Sequence, residues 1–101
     1  MARLLPYTVY ILLSEKDGNF YVGFTTDLWK RLADHTAGRV DSTAPRRPFR
    51  LIHAEHYLSE DDAIRREKYL KTTKGRRALR LMVRETLAEM TGPSRQSRPD
   101  R

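Results

Sequence analysis

The sequence predicts an α+β domain, a small three-stranded and mainly antiparallel sheet flanked by helices. Three observations predict it. Two runs rich in β-branched and aromatic residues surround an Asp-Gly turn signal near the start of the chain. A third such run lies at Phe49 to Tyr57. The remainder shows apolar residues at helical spacing, bracketed by capping residues. A chain of 101 residues suits one domain with one modest core.

The first run, Tyr7 to Leu13 (YTVYILL), has apolar side chains on both faces, as a central strand requires. Asp17 and Gly18 supply the turn, and Phe20 to Thr25 returns. Alternation puts Phe20, Val22 and Phe24 on one face and Tyr21, Gly23 and Thr25 on the other. Gly23 leaves room beside Tyr21 for another backbone or a ligand. Thr26 or Asp27 can cap a helix running to about Thr36, with Gly38 as its stop. Its expected inward stripe is Leu28, Leu32 and Thr36, with Trp29 and Ala33 beside it. The stretch GRVDSTAPRRPF reads as a basic, proline-broken loop. After the third strand, Ser59 and Asp62 resemble a capping box opening a helix from Glu60 to about Thr73. Gly75 is expected to interrupt, with a last helix from about Arg76 to Met90 whose apolar face is Leu79, Met82, Val83, Leu87 and Met90. The closing TGPSRQSRPDR has no apolar periodicity and is expected to be disordered.

The formal net charge of +7 points to a polyanionic partner, nucleic acid or an anionic membrane, although ordinary solubility accounts for such a charge equally well. The chain has no cysteine. Disulfides, thiolate zinc sites and cysteine nucleophiles are therefore excluded, and a cytoplasmic location is expected. No apolar run is long enough to span a bilayer. The opening MARLLPYTVYILLSE is basic and then apolar, but Pro6 breaks it, Thr8 and Tyr10 follow, and no small-residue cleavage site appears. It is read as a strand. A membrane-surface role is disfavoured, because the basic residues lie on core-forming helices.

Glu67 needs an explanation. Helical spacing puts it among Ala63, Ile64 and Leu70, facing inward. A carboxylate there is costly unless paired, hydrogen-bonded or metal-bound. It can pair with Lys71 four residues on, an interaction contributing about 0.3–0.5 kcal/mol. It is also the single acid between Ile64 and Arg84, and a lone carboxylate in a basic field can hold a hard cation beside a phosphate. Arg31 and His35 stack four apart on the first helix and are expected at the rim of the core. Arg suits a phosphate, and His can exchange a proton near neutral pH; a solvated Arg and a packed His ring fit the same spacing. Tyr10 and Tyr21 can be cross-strand neighbours, either as simple aromatic packing or as two phenols in one site. His53 and His56, three apart on a strand, point to opposite faces and do not share a metal. Arg46, Arg47, Arg65, Arg66, Lys68, Lys71, Lys74, Arg76 and Arg77 are the candidate phosphate contacts.

Taken in order, these residues resemble the GIY-YIG nuclease superfamily. Its first motif stands as Thr8-Val9-Tyr10 and its second as Tyr21-Val22-Gly23. TTDLWKRLADHTAG is similar to the family's following helix, and REKYLK to the segment bearing its glutamate. STAPRRPFRLIHAEHY resembles the short, stand-alone branch. The match covers about Tyr7 to Arg80. The resemblance implies a nuclease domain over residues 1–91, followed by a basic tail at 92–101. It implies a metal-dependent endonuclease with one Mg²⁺ or Mn²⁺ on Glu67, Arg31 at the scissile phosphate, Tyr21 with His35 activating water, and Tyr10 positioning the water or the phosphate. DNA is the expected partner. Cutting directed by structure rather than sequence is expected, with a protein partner or homodimer for targeting. Thr8 replaces the opening Gly, Phe24 stands where some relatives have Lys, and no asparagine follows Glu67. A non-catalytic nucleic-acid-binding module that keeps the fold is the competing expectation.

Overall fold

A computed structural model describes residues 4–91; the tail expected at 92–101 lies outside them. The strands are β1 (Tyr7–Ser14), β2 (Phe20–Thr25) and β3 (Phe49–Tyr57). The helices are α1 (Leu28–Thr36), α2 (Glu60–Lys71), α3 (Thr73–Met82) and α4 (Arg84–Thr91), and a 3₁₀ turn covers Ala44–Arg46. The sheet order is β2-β1-β3, and both pairings are antiparallel. β1 is central, as its apolar residues on both faces predict, and Gly18 takes the positive φ of 74° that the turn between β1 and β2 demands.

The two faces of the sheet serve different ends. On one, Val9, Ile11, Leu13, Phe20 and Val22 pack with Ala63, Leu70, Leu79 and Val83 of the later helices to form the core. The other face carries Thr8, Tyr10, Leu12 and Ser14 from β1, set against Thr25, Gly23 and Tyr21 of β2. This second face holds the polar groups, because α1 lies over it and brings His35 down onto Tyr10 and Tyr21.

Local structure departs from the sequence expectations at four places. The inward face of α1 is rotated: His35 is its buried residue, while Trp29 is 84% exposed and Ala33 and Thr36 also face solvent. A polar side chain takes the apolar position because it finds partners beneath the helix. Gly23 leaves no open spot, since the ring of Tyr10 occupies the space a Cβ would need. Gly75 does not interrupt a helix. It sits buried in the first turn of α3, where a Cβ would strike the backbone carbonyl of Tyr69. The break belongs to Thr72, which ends α2 and caps α3 by accepting from the Gly75 N–H. The expected last helix is divided at Val83, whose backbone (φ −110°, ψ 23°) leaves the helical region. The bend keeps Leu79, Val83, Leu87 and Met90 against the core, while Leu81 and Met82 turn to solvent.

β3 is fastened to α2 by a polar network. Glu55 accepts from Arg66 at 2.8 and 3.1 Å and from the Tyr57 hydroxyl at 2.7 Å, and His53 Nε2 lies 2.9 Å away. Burial, the largest single influence, pushes the Glu55 carboxyl up. The hydrogen bonds from Arg66, His53 and Tyr57 together outweigh it and hold the group at about 2. His56 instead meets Thr8 on the opposite face at 2.8 Å, so the two histidines are separated as the strand period requires.

Candidate active site

Four of the five expected site residues meet on the α1 face. Tyr10, at the middle of the central strand, is completely buried, and its ring seats on Gly23 of β2. Tyr21 lies diagonally across the hairpin, with ring centroids 6.2 Å apart, and is half-buried. Asp27 caps α1 through the Lys30 N–H, which fixes the start of the helix and places Arg31 and His35 one turn apart above the sheet. The imidazole contacts both tyrosine rings edge-on, at 5.7 and 5.1 Å between centroids.

A directed hydrogen-bond chain runs through this cluster. The Thr43 hydroxyl donates to the Val40 carbonyl at 3.3 Å. Its oxygen is then the acceptor for His35 Nδ1–H at 2.8 Å. That tautomer leaves Nε2 to accept the Tyr10 hydroxyl at 2.7 Å. The Tyr10 oxygen in turn faces the Arg31 guanidinium, which also stands beside Tyr21. Thr43 is completely buried, and sequence reasoning missed it; nothing in its local pattern marks it, since its partner lies eight residues back on a helix.

The protonation states follow. Burial pushes the Tyr10 phenol up to about 12, with Arg31 pulling against it and Tyr21 adding to it. Burial, and then the charge of Arg31, lowers the His35 imidazole, with Asp34 opposing. At neutral pH the site therefore holds a neutral phenol, a neutral imidazole and one fixed positive charge. His35 has both ring nitrogens engaged and is 2% exposed, so it sits beneath the site rather than at its rim. Tyr21 is the phenol that reaches solvent.

Glu67 stands apart from this cluster. Its helix packs on the opposite face of the sheet, and its carboxylate pairs with Lys71 at 3.1 Å and makes no hydrogen bond to the tyrosines. The helical turn still fixes its direction. Arg66 and Glu67 lie on opposite sides of the buried Ala63/Leu70 stripe, about 100° apart. Arg66 reaches β3, so Glu67 leans toward β2, the edge strand that carries Tyr21. Among the described residues no group of three or more His, Cys, Asp or Glu side chains is placed to hold a metal ion.

The basic residues divide into two sets. Arg46 pairs with Asp17 at 2.7 Å and donates to the Asn19 and Phe20 carbonyls, tying the β1–β2 turn to the segment before β3. The Asp17 carboxyl is thereby held at about 2. Arg47 donates to the Thr36 and Ala44 carbonyls and closes the end of α1. Arg65 pairs with Asp62, Arg66 with Glu55, Lys71 with Glu67, and Arg76 donates to the Phe20 carbonyl. Lys68, Lys74 and Arg77 are exposed and have no acidic partner among the described residues.

Known proteins share this family and fold. The family model of the GIY-YIG catalytic domain matches residues 6–80. A UPF0213 protein of Staphylococcus haemolyticus is 37% identical over 80 residues, covering 78% of this chain and 96% of that one. A UPF0213 protein of Streptococcus pneumoniae is 36% identical over 72 residues, covering 69% and 73%. The solution structure of a UPF0213 protein from Bacillus halodurans superposes with a TM-score of 0.53 at 32% identity, covering 87% of this chain and 96% of that one. With the paired tyrosines, the α1 arginine and the three-stranded sheet all in place, the chain belongs to the GIY-YIG domain family.

Proposed function

We propose that the protein is a divalent-metal-dependent endonuclease that hydrolyses phosphodiester bonds in DNA. The observation that carries this reading is the Thr43–His35–Tyr10 chain, which holds a fixed arginine and a solvent-facing phenol side by side next to an edge strand. Arg31 faces the scissile phosphate, and its permanent charge offsets the negative charge that develops there. Tyr21 holds and orients the attacking water, whose proton is lost to solvent as its oxygen bonds to phosphorus and the P–O bond to the leaving strand breaks. Tyr10 and His35 are positioning residues: buried and neutral, they reach the substrate only through Arg31 and Tyr21.

Glu67 fits the remaining requirement. It is a hard oxygen donor, and the Lys71 side chain is 51% exposed, so their pair is weak and easily exchanged. Mg²⁺ keeps most of its water and is commonly held by one or two carboxylates plus substrate phosphates, which suits one glutamate. Bound there, Mg²⁺ or Mn²⁺ would supply charge neutralisation at the phosphate and a more acidic water. Because Glu67 leans toward β2 from one face and Tyr21 projects from the other, the reaction centre lies across the β2 edge.

The test is cleavage of single-stranded, duplex, flap and branched DNA by wild type and Glu67→Gln, with and without Mg²⁺. Cleavage that requires both the metal and Glu67 supports the reading. Wild-type cleavage by Glu67→Gln removes the metal role. The Glu67–Lys71 pair favours a second reading, a nucleic-acid-binding module without catalysis, and DNA binding with no cleavage of any substrate would establish it.

A further inference from the structure

The start of β2 carries a second basic feature, separate from the tyrosine cluster. An open cavity of about 410 Å³ is lined by Asp17, Asn19, Phe20, Arg46, Arg76 and Arg80. Three guanidinium groups thus meet one carboxylate, and that carboxylate is already taken by Arg46. Arg46 spends Nε and one terminal nitrogen within the chain, on Asp17 and on the Asn19 and Phe20 carbonyls. Arg76 spends one N–H on the Phe20 carbonyl, at 3.3 Å. Arg80, one turn further along α3, lies over the Phe20 ring at 4.9 Å and has no carboxylate partner among the described residues. The ring holds the guanidinium plane in place and leaves its N–H edge free. Two arginines, four apart on one helix and fixed by the same residue, therefore present unspent donors to one cavity.

We propose that Arg76 and Arg80 form a phosphate-binding cup that holds a backbone phosphodiester of the nucleic-acid strand. The bidentate fork of arginine matches a phosphate, and the ordered guanidinium groups lose little freedom on binding one. The position is informative. Phe20 immediately precedes Tyr21, so the cup lies at the β2 edge on the α3 side, and the catalytic phenol lies one residue on at the α1 side. A strand gripped there is held in register as it passes over the edge toward Tyr21 and Arg31. The cup rests on the phosphodiesterase reading for its ligand, but it requires neither metal nor cleavage.

The experiment is fluorescence anisotropy with a short single-stranded DNA, without divalent ions, over a range of salt concentrations. Arg80→Gln and Arg76→Gln are compared with Arg39→Gln, which removes the same charge from the loop after α1, and melting temperatures establish folding. Each cup variant is expected to weaken binding about tenfold or more, in line with loss of one charge-assisted contact. Each should also lower the slope of log affinity against log salt by about 0.7. Arg80→Lys, which keeps the charge on a side chain that folds readily, is expected to retain the slope while losing part of the affinity. Cup variants that bind like Arg39→Gln overturn the cup and leave the nuclease reading intact. Inorganic phosphate that binds at Arg76 and Arg80 without displacing the strand, at constant ionic strength, would reassign the cup to free phosphate and overturn it as a strand contact. A wild-type protein that binds no strand even at low salt overturns the cup and the nucleic-acid reading together.

Discussion

His35 shows how a single buried side chain can organise a polar cluster. Its two nitrogens are spent on Thr43 and Tyr10, and its neutrality makes that arrangement the stable one. Thr43→Val keeps the volume but strands the Nδ1–H in a buried place, which costs about 1–3 kcal/mol. Urea unfolding should show that loss, and cleavage should fall because Tyr10 is released. A variant as stable and active as wild type would show that the relay is not used. The same residue sets a pH dependence. The unfolded chain takes up a proton at His35 near 6.5, whereas the folded chain resists it, so this contribution to stability is complete above that value and declines as pH falls below it. Glu55 adds a second acid step: its stabilisation is present above about 4.5 and is lost as pH falls toward about 2. Unfolding free energy measured from pH 8 to pH 3 should therefore decline first below neutrality and again below about 4.5. A flat profile would contradict both assignments.

At the level of elements, the strands were legible because they are periodic and short, and the alternation of Phe20, Val22 and Phe24 against Tyr21 and Gly23 is borne out in the register. The helix faces were less legible. In α1 the apolar pattern favoured Leu28, Leu32 and Thr36, yet the helix turns His35 inward, because Tyr10 and Thr43, distant in sequence, pair with both of its nitrogens. Spacing within one segment carries no record of such partners. Gly75 was misread for a related reason: it resembles a helix breaker, but its lack of a side chain allows α3 to close against the end of α2. Gly75→Ala should accordingly destabilise the fold by about 1–3 kcal/mol, because the obstacle is backbone and cannot rotate away. That corresponds to a melting point lower by at least about 4 °C in a domain of this size. An unchanged melting point would show that the α2–α3 junction relaxes freely.

Across the whole molecule, the sheet separates two tasks. One face builds the apolar core with α2, α3 and α4, and the other carries a buried polar relay under α1. No helix among the described residues is long and apolar enough to cross a membrane. Of the candidate site, Tyr10, Tyr21 and Arg31 were legible through their order and spacing, and they meet as expected. Thr43 was not, and neither was the structural employment of Arg46, Arg47 and Arg66, because charge alone does not distinguish a side chain tied to a carbonyl from one facing solvent. In the proposed function, Glu67 and the tyrosine cluster act on one phosphate across the β2 edge. The most direct measurement is paramagnetic broadening by Mn²⁺ of side-chain resonances in the protein bound to a short DNA strand. Mn²⁺ is expected to broaden Tyr21 and the Arg31 guanidinium, and Glu67→Gln to abolish the effect without unfolding the domain. Broadening centred away from Tyr21 and Arg31, or unchanged in Glu67→Gln, would contradict the proposal.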